Sequence, residues 1–198
     1  EVKIQVFQSK VVSVIQAGVD TTKSLLTFAM FELANNPELV GRLREEVKAK
    51  SPDGDLSFQD LQECNLLNRV IAETLRRYSP IVATLRNIKT PADGAPVKVC
   101  DYDLDPSGTV VVSPAVVHSR PDVWESPDTF NPDRSEYDED TWPWRNSDNF
   151  NHISFIAGKH ACPGKDLAAR MEVAAFLAKV VTEFDFERVP SPEQSAED

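Results

Sequence analysis

Cysteine is scarce in this chain. There are three in 198 residues, at positions 64, 100 and 162. No two are close enough for a C-x-x-C pair, which excludes a zinc ribbon or a thioredoxin-type motif. An odd, scattered set also argues against a disulfide framework and for a reducing compartment. Cationic side chains are in deficit: 21 Lys and Arg stand against 32 Asp and Glu, a formal net charge of −11. A basic face for nucleic acid is therefore lacking, as is a polybasic patch for anionic lipid. No apolar run is long enough to span a bilayer, and no signal-peptide pattern is present. There are no internal repeats and no initiating methionine. The opening EVKIQVFQSKVVSVIQAG reads as the middle of an element, so the chain reads as a piece of something longer.

What is present points to an ordinary domain. Hydrophobic residues make up 41% of the chain, enough for a folded core. Residues 1–34 hold no proline and carry apolar side chains at helical spacing (Ile4, Phe7, Val11, Val14, Ile15, Leu25, Phe28, Leu33), which predicts one long helix. Asn36-Pro37-Glu38 is a helix start, with an Asn cap, a Pro at the first position and an acid in the first turn. That helix runs to about Lys50. Ser57 with Asp60 resembles a capping box opening a short helix. Another helix is expected over about 66–78, stopping before Pro80. Beyond it TLRNIKT, APVKVCDYDL and GTVVVS read as short strands and turns, and residues 119–154 as a long irregular segment. The region 80–154 is thus a small sheet with loops. A loop over 155–164 then leads into a last helix over 165–183, and VPSPEQSAED reads as a frayed tail. The fold class is mainly α with a small β-sheet. Cys64 and Cys100 are expected to be small buried hydrophobes.

Local rules are broken in four places. AGVDTT (Ala17 to Thr22) sets Gly18, Asp20, Thr21 and Thr22 inside the long helix, although Gly is unfavourable there and the polar side chains compete with helical hydrogen bonds. It is either a kink, a satisfied polar spot or a functional site. ETLRR places Glu73 and Arg76 on one helix face, a pattern that is also common on surfaces. FNPDR puts Arg134 in a Pro-bounded loop. FIAGKHACPG sets Cys162 among Phe155, Gly158, His160 and Gly164, just ahead of a helix. A thiolate there gains from the helix dipole and free backbone N–H groups, and glycines let backbone approach a flat partner.

These four stretches, in this order, resemble the C-terminal half of the cytochrome P-450 superfamily of haem-thiolate monooxygenases, of a eukaryotic type. The likeness covers nearly the whole chain, and the cysteine loop is its most specific part. The resemblance implies that Cys162 is the thiolate ligand of the iron of haem b, that Phe155 packs near its sulfur, and that Gly158 and Gly164 are the glycines of the ligand loop. It makes His160, which stands where the family usually has Arg, a propionate contact, and Arg86 a second one. It implies a buried triad of Glu73, Arg76 and Arg134. By the same likeness Asp20 and Thr21 are the acid–alcohol pair that relays protons in a locally opened helix, and Ala17 and Gly18 leave room for dioxygen. Substrate would lie against Val14 to Gly18 and the segment 80–85 (PIVATL), with Val82 and Ala83. One departure is clear: Ile156 stands where the family's loop usually has a small residue.

The activity implied is insertion of one oxygen atom from O2 into an apolar organic substrate. Electrons would come from NADPH through a cytochrome P-450 reductase. Membrane contact is expected only through an N-terminal part outside this chain, at the cytosolic face of the endoplasmic reticulum in a full-length eukaryotic relative. Three alternatives stay open: an O2-independent isomerase or dehydratase of the same fold, a catalytically incompetent fragment, and, more remotely, a cysteine-nucleophile enzyme.

Overall fold

The structure, a computed structural model, describes residues 2–52, 56–89, 91–93, 95–137 and 150–189. The expected tail VPSPEQSAED after its first residue, Val189, and the middle of the irregular segment, 138–149, lie outside the described residues.

The first helix, α1, runs unbroken over Val2–Asn35. Its two halves have different fates. In the second half Leu25, Ala29 and Leu33 recur every fourth residue and are buried, the stripe a helix presents to a core. In the first half Ile4, Phe7, Val11, Val14 and Ile15 are all exposed.

Helix α2 (Pro37–Lys50) starts at the expected proline and buries Leu39, Val40, Leu43 and Val47. Helix α3 (Phe58–Glu63) opens on a full capping box. The Asp60 amide donates to the Ser57 hydroxyl at 3.2 Å, and the Ser57 amide to the Asp60 carboxylate at 2.8 Å. Helix α4 (Asn65–Arg77) is buried on nearly every side, from Leu67 and Asn68 through Val70 to Arg76. It is the central element of the fold. Its N-terminus has no local side-chain cap. Instead Glu46 reaches across from α2 and accepts from the amides of Leu66 and Leu67 at 2.8 and 3.0 Å. A carboxylate there meets both unpaired N–H groups and the positive end of the helix dipole.

The expected sheet is two separate antiparallel ribbons. Strand β1 (Thr84–Asn87) pairs with β4 (Thr109–Val112), with Thr84 opposite Val112. Strand β2 (Val97–Val99) pairs with β3 (Tyr102–Leu104). APVKVCDYDL is therefore a hairpin, and its tip is at Cys100, whose φ is 50°. Cys100 is exposed, which corrects the expectation of a buried thiol: a two-residue hairpin turn needs positive φ and points its residues to solvent. Cys64 is fully buried, and burial pushes its thiol up to about 11. A short helix, α5 (Pro114–His118), follows β4. Sequence reading left it among strand and loop, although Ser113-Pro114 is a start signal. The Ser113 hydroxyl accepts from the Val116 amide at 3.3 Å and donates to the Val82 carbonyl at 2.7 Å.

The last helix changes pitch. Asp166–Val173 is π-helical, and α6 (Ala174–Glu183) continues it. In the wide-turned part the Arg170 carbonyl takes a donor from elsewhere, the Gln62 side-chain Nε2 of α3 at 3.1 Å. The core lies where α1, α2, α4 and α6 meet, around Leu33, Leu43, Leu67, Ile71, Leu177 and Val181.

Candidate functional site

Glu73 and Arg76 do not form a surface pair. Both are buried, and so is Arg134, although the latter is 61 positions away along the chain. The Glu73 carboxylate receives Arg76 Nε at 2.8 Å, Arg76 Nη2 at 2.9 Å and Arg134 Nε at 3.0 Å. The Asn131 amide at 2.9 Å and the Tyr137 hydroxyl at 2.6 Å complete its shell. The guanidinium of Arg76 also donates to the carbonyls of His118 and Thr129 at 2.8 and 3.2 Å, and stacks 5.4 Å from the Trp124 ring centre. Arg134 gathers the carbonyls of Glu125, Ser126 and Thr129. Burial alone pushes the Glu73 carboxyl upward. The Arg76 guanidinium, the Tyr137 hydroxyl and the Asn131 amide outweigh it and hold the group below the usual carboxylate range. Buried charges of this kind survive only when so fully partnered.

His118 ties this network to the cysteine loop. Its carbonyl accepts from Arg76, and its Nε2 accepts from the Ile153 amide at 3.0 Å. The ring proton is therefore assigned to Nδ1. Next to it, 4.8 Å between ring centres, is His152, whose Nε2 donates to the Ala72 carbonyl of α4 at 3.0 Å. The Ser154 hydroxyl donates to the Leu75 carbonyl at 3.1 Å. Residues 152–154 are thus stitched along α4 immediately before Phe155. Neither histidine was singled out by sequence reading. Their only signal was the rarity of histidine, three in the chain.

From Phe155 the chain makes a closed loop. The Cys162 amide donates to the Phe155 carbonyl at 2.8 Å, and the Ala161 amide to the Gly158 carbonyl at 3.1 Å. Gly158 has φ 63°, a conformation that glycine adopts without strain. Cys162 lies just ahead of the last helix, half-buried and free of any disulfide. Beside it Gly164 lies close to the sulfur: a Cβ there would stand in ordinary contact with it, at 3.9 Å.

The cysteine loop faces α1 across a cavity of about 110 Å3. On the loop side it is lined by Phe155, Ile156, His160 and Cys162, and on the helix side by Thr21, Thr22 and Leu25. Leu75, Pro80, Ile81 and Ala168 add apolar wall. Four of the sequence-designated residues thus meet in one place: Thr21, Phe155, His160 and Cys162. Thr22, Leu25, Leu75 and Ala168 were missed. Leu25 stands one helical turn from Thr21, so the period of α1 was its signal.

Other designated residues are not at this cavity. Asp20 is exposed and pairs with Lys23 at 3.2 Å. The expected local opening at AGVDTT is not found. The helix runs straight through, and the Thr21 hydroxyl satisfies itself on the Ala17 carbonyl at 2.8 Å, the intrahelical bond that threonine makes in place of breaking the helix. Val14, Ala17 and Gly18 are exposed on α1, and a Cβ at Gly18 would meet nothing within 4 Å. Val82 and Ala83 are exposed as well; from the PIVATL segment it is Pro80 and Ile81 that reach the cavity. Arg86, in β1, folds back on its own strand, donating to the Thr84 hydroxyl and the Leu85 carbonyl, both at 2.8 Å.

A single thiolate offers one ligand. A metal held at Cys162 must bring its other ligands with it, as a macrocycle does. The apolar lining and the soft sulfur donor suit an iron porphyrin. Helices packed around a cysteine loop that faces a long helix across an apolar cavity define the architecture of the site. The chain belongs to the cytochrome P450 family, whose profile matches residues 2–198. It is 29% identical to a sterol 14alpha-demethylase of Mycolicibacterium vanbaalenii, over 94% of this chain and 40% of that protein. It is 29% identical to cytochrome P450 family 716 subfamily AD polypeptide 4 of Melia azedarach, over 98% of this chain and 39% of that protein. It is 35% identical to the cytochrome P450 monooxygenase notG' of Aspergillus versicolor, over 92% of this chain and 32% of that protein. The chain therefore spans two-fifths or less of the length of these relatives.

Proposed function

We propose that this chain supplies the haem-thiolate half of a monooxygenase that inserts one oxygen atom of O2 into an apolar organic substrate. One observation carries the reading: Cys162 and the Thr21–Thr22 pair, about 140 positions apart in sequence, line the same apolar cavity. Cys162 would hold the iron of haem b, with its amide fixed on the Phe155 carbonyl so that the sulfur is presented at a set angle. His160, on the cavity rim, would meet a propionate. Gly158 and Gly164 shape the loop. Bound there, haem would supply the iron at which dioxygen is activated, with the thiolate donating electron density that favours O–O cleavage, the ligation for which this family is the standing example.

The protein's own contribution is protons and dryness. Thr21 holds its hydroxyl proton on the Ala17 carbonyl, and a rotation about χ1 turns that proton toward the cavity. Asp20, facing solvent from the same turn, would resupply it through water. Leu25 and Leu75, both buried, would keep bulk water from the inner wall, which strengthens polar interactions inside. The Glu73–Arg76–Arg134 triad would hold the loop against α4, and Pro80 with Ile81 would be the nearest substrate-side surface. Val14, Ala17, Gly18, Val82, Ala83 and Arg86 stand further out and have no role in this reading of the cavity. Electrons would come from NADPH through a reductase.

The test is isotopic. Haem-loaded protein, reductase, NADPH and labelled dioxygen are incubated with a panel of apolar substrates. One labelled oxygen per product and reductase-dependent NADPH oxidation are expected. Turnover that needs neither dioxygen nor reductase would instead establish an isomerase or dehydratase.

A further inference from the structure

Among the described residues, three that are not glycine have positive φ: Cys100, Ser126 and Ile156. Cys100 and Ser126 sit exposed in turns. Ile156, at φ 57°, is another matter. A β-branched side chain in the left-handed region crowds its own backbone, and glycine or asparagine takes that conformation at far lower cost. It follows a turn closed by the Ile156 amide on the Ile153 carbonyl at 2.9 Å and lies next to the Cys162–Phe155 bond. Strain of this kind persists only where the surroundings fix it, and it gathers at functional sites. Nor does the side chain turn to water. It is half-buried and lines the Cys162 cavity with Phe155, Leu25 and Ile81.

We propose that Ile156 is a cofactor-contact residue: its branched side chain forms part of the apolar surface on which the flat cofactor of Cys162 packs, and it screens the sulfur from water. The inference rests on the haem-thiolate reading of the site. The loop holds an unfavourable residue in an unfavourable conformation because that conformation delivers the side chain to the cavity. The role belongs to the side chain and not to the backbone, so variants can separate the two. Ile156→Asn relaxes the backbone and removes the apolar face, and Ile156→Ala removes the face while keeping a Cβ in the left-handed region. Ile156→Val keeps branching and most of the face.

Two measurements test it on the full chain. The first is site-resolved alkylation by iodoacetamide without cofactor, with exposed Cys100 as the internal reference. I156N and I156A are expected to speed reaction at Cys162 by about threefold or more, with Cys100 unchanged and I156V near the parent, because thiol reactivity follows access. The second is haem titration followed by Soret absorbance. I156N and I156A are expected to weaken binding by about tenfold while the urea midpoint of I156N stays at or above the parent's. I156V stays within about twofold. A merely structural residue would lose stability and affinity together. Parent protein that binds haem with the same affinity as I156N and I156A overturns this inference alone. Parent protein that binds no more haem than C162S overturns the haem reading, and the contact with it.

Discussion

Glu73 shows what a single residue carries here. It has no solvent exposure, and five donors converge on it from one loop and its own helix. Glu73→Gln removes the charge and strands two buried guanidinium groups. It is expected to cost about 3–5 kcal/mol, the range for breaking a buried ion pair from one side, measured by urea denaturation. The two buried histidines set the acid limit. Burial, with the neighbouring His152 and Arg76 charges, holds His118 down to about 2, and burial holds His152 down to about 4. Unfolded, each titrates near 6.5. As pH falls below that value the unfolded chain takes up protons and the folded chain does not, so stability falls. Glu73 adds to the loss as pH drops through its lowered folded value. Between pH 6 and 4 the slope should approach that of about two protons, roughly 2.7 kcal/mol per pH unit, read from urea midpoints across pH. His152→Gln keeps a donor for the Ala72 carbonyl and should remove about half of that slope.

Helices were the most legible elements, because their signals are local. The Asn36-Pro37 start, the Ser57–Asp60 box and the period of α1 each lie within a few residues, and each marks a helix within about two positions of where it stands. Long-range partners left no such trace. Glu46 caps α4 from 20 positions away, and nothing in its neighbourhood says so. Glu46→Ala should cost about 0.5–2 kcal/mol, the range for losing a helix cap, by the same urea measurement. APVKVCDYDL reads as short strands and turns, but with Cys100 on a strand and not at the turn, because apolar and β-branched positions stand on both sides of it. The left-handed turn that splits it has no Gly or Asn to announce it. Helix α1 gives the sharpest contrast within one element. Leu33→Ala in its buried half should cost about 2–5 kcal/mol. Val14→Ser in its exposed half should stay within about 0.5 kcal/mol, because Val14 is 73% exposed.

At the scale of the whole molecule, the four rule-breaking stretches were legible as a set and ambiguous one by one. AGVDTT, ETLRR, FNPDR and FIAGKHACPG lie far apart in sequence. The fold brings the second and third into one ion-pair network and the first and fourth to one cavity. Sequence could not tell which side chains of a stretch face inward. Thr21 reaches the cavity and Asp20 does not; Ile81 reaches it and Val82 does not. Those differences are rotations of about 100° on a helix or one step along an extended chain, below what spacing alone resolves. His118 and His152 escaped notice because their importance comes from burial between α4, α5 and the cysteine loop.

The proposed function stands or falls on Cys162 as a thiolate ligand facing a cofactor cavity. The most direct measurement is the absorbance spectrum of the haem-loaded chain, reduced and exposed to carbon monoxide, beside the same spectrum of Cys162→Ser. A red-shifted Soret band in the parent, absent from C162S while Glu73-dependent folding is intact in both, is the predicted result. A band at the same position in the two proteins would contradict that ligation.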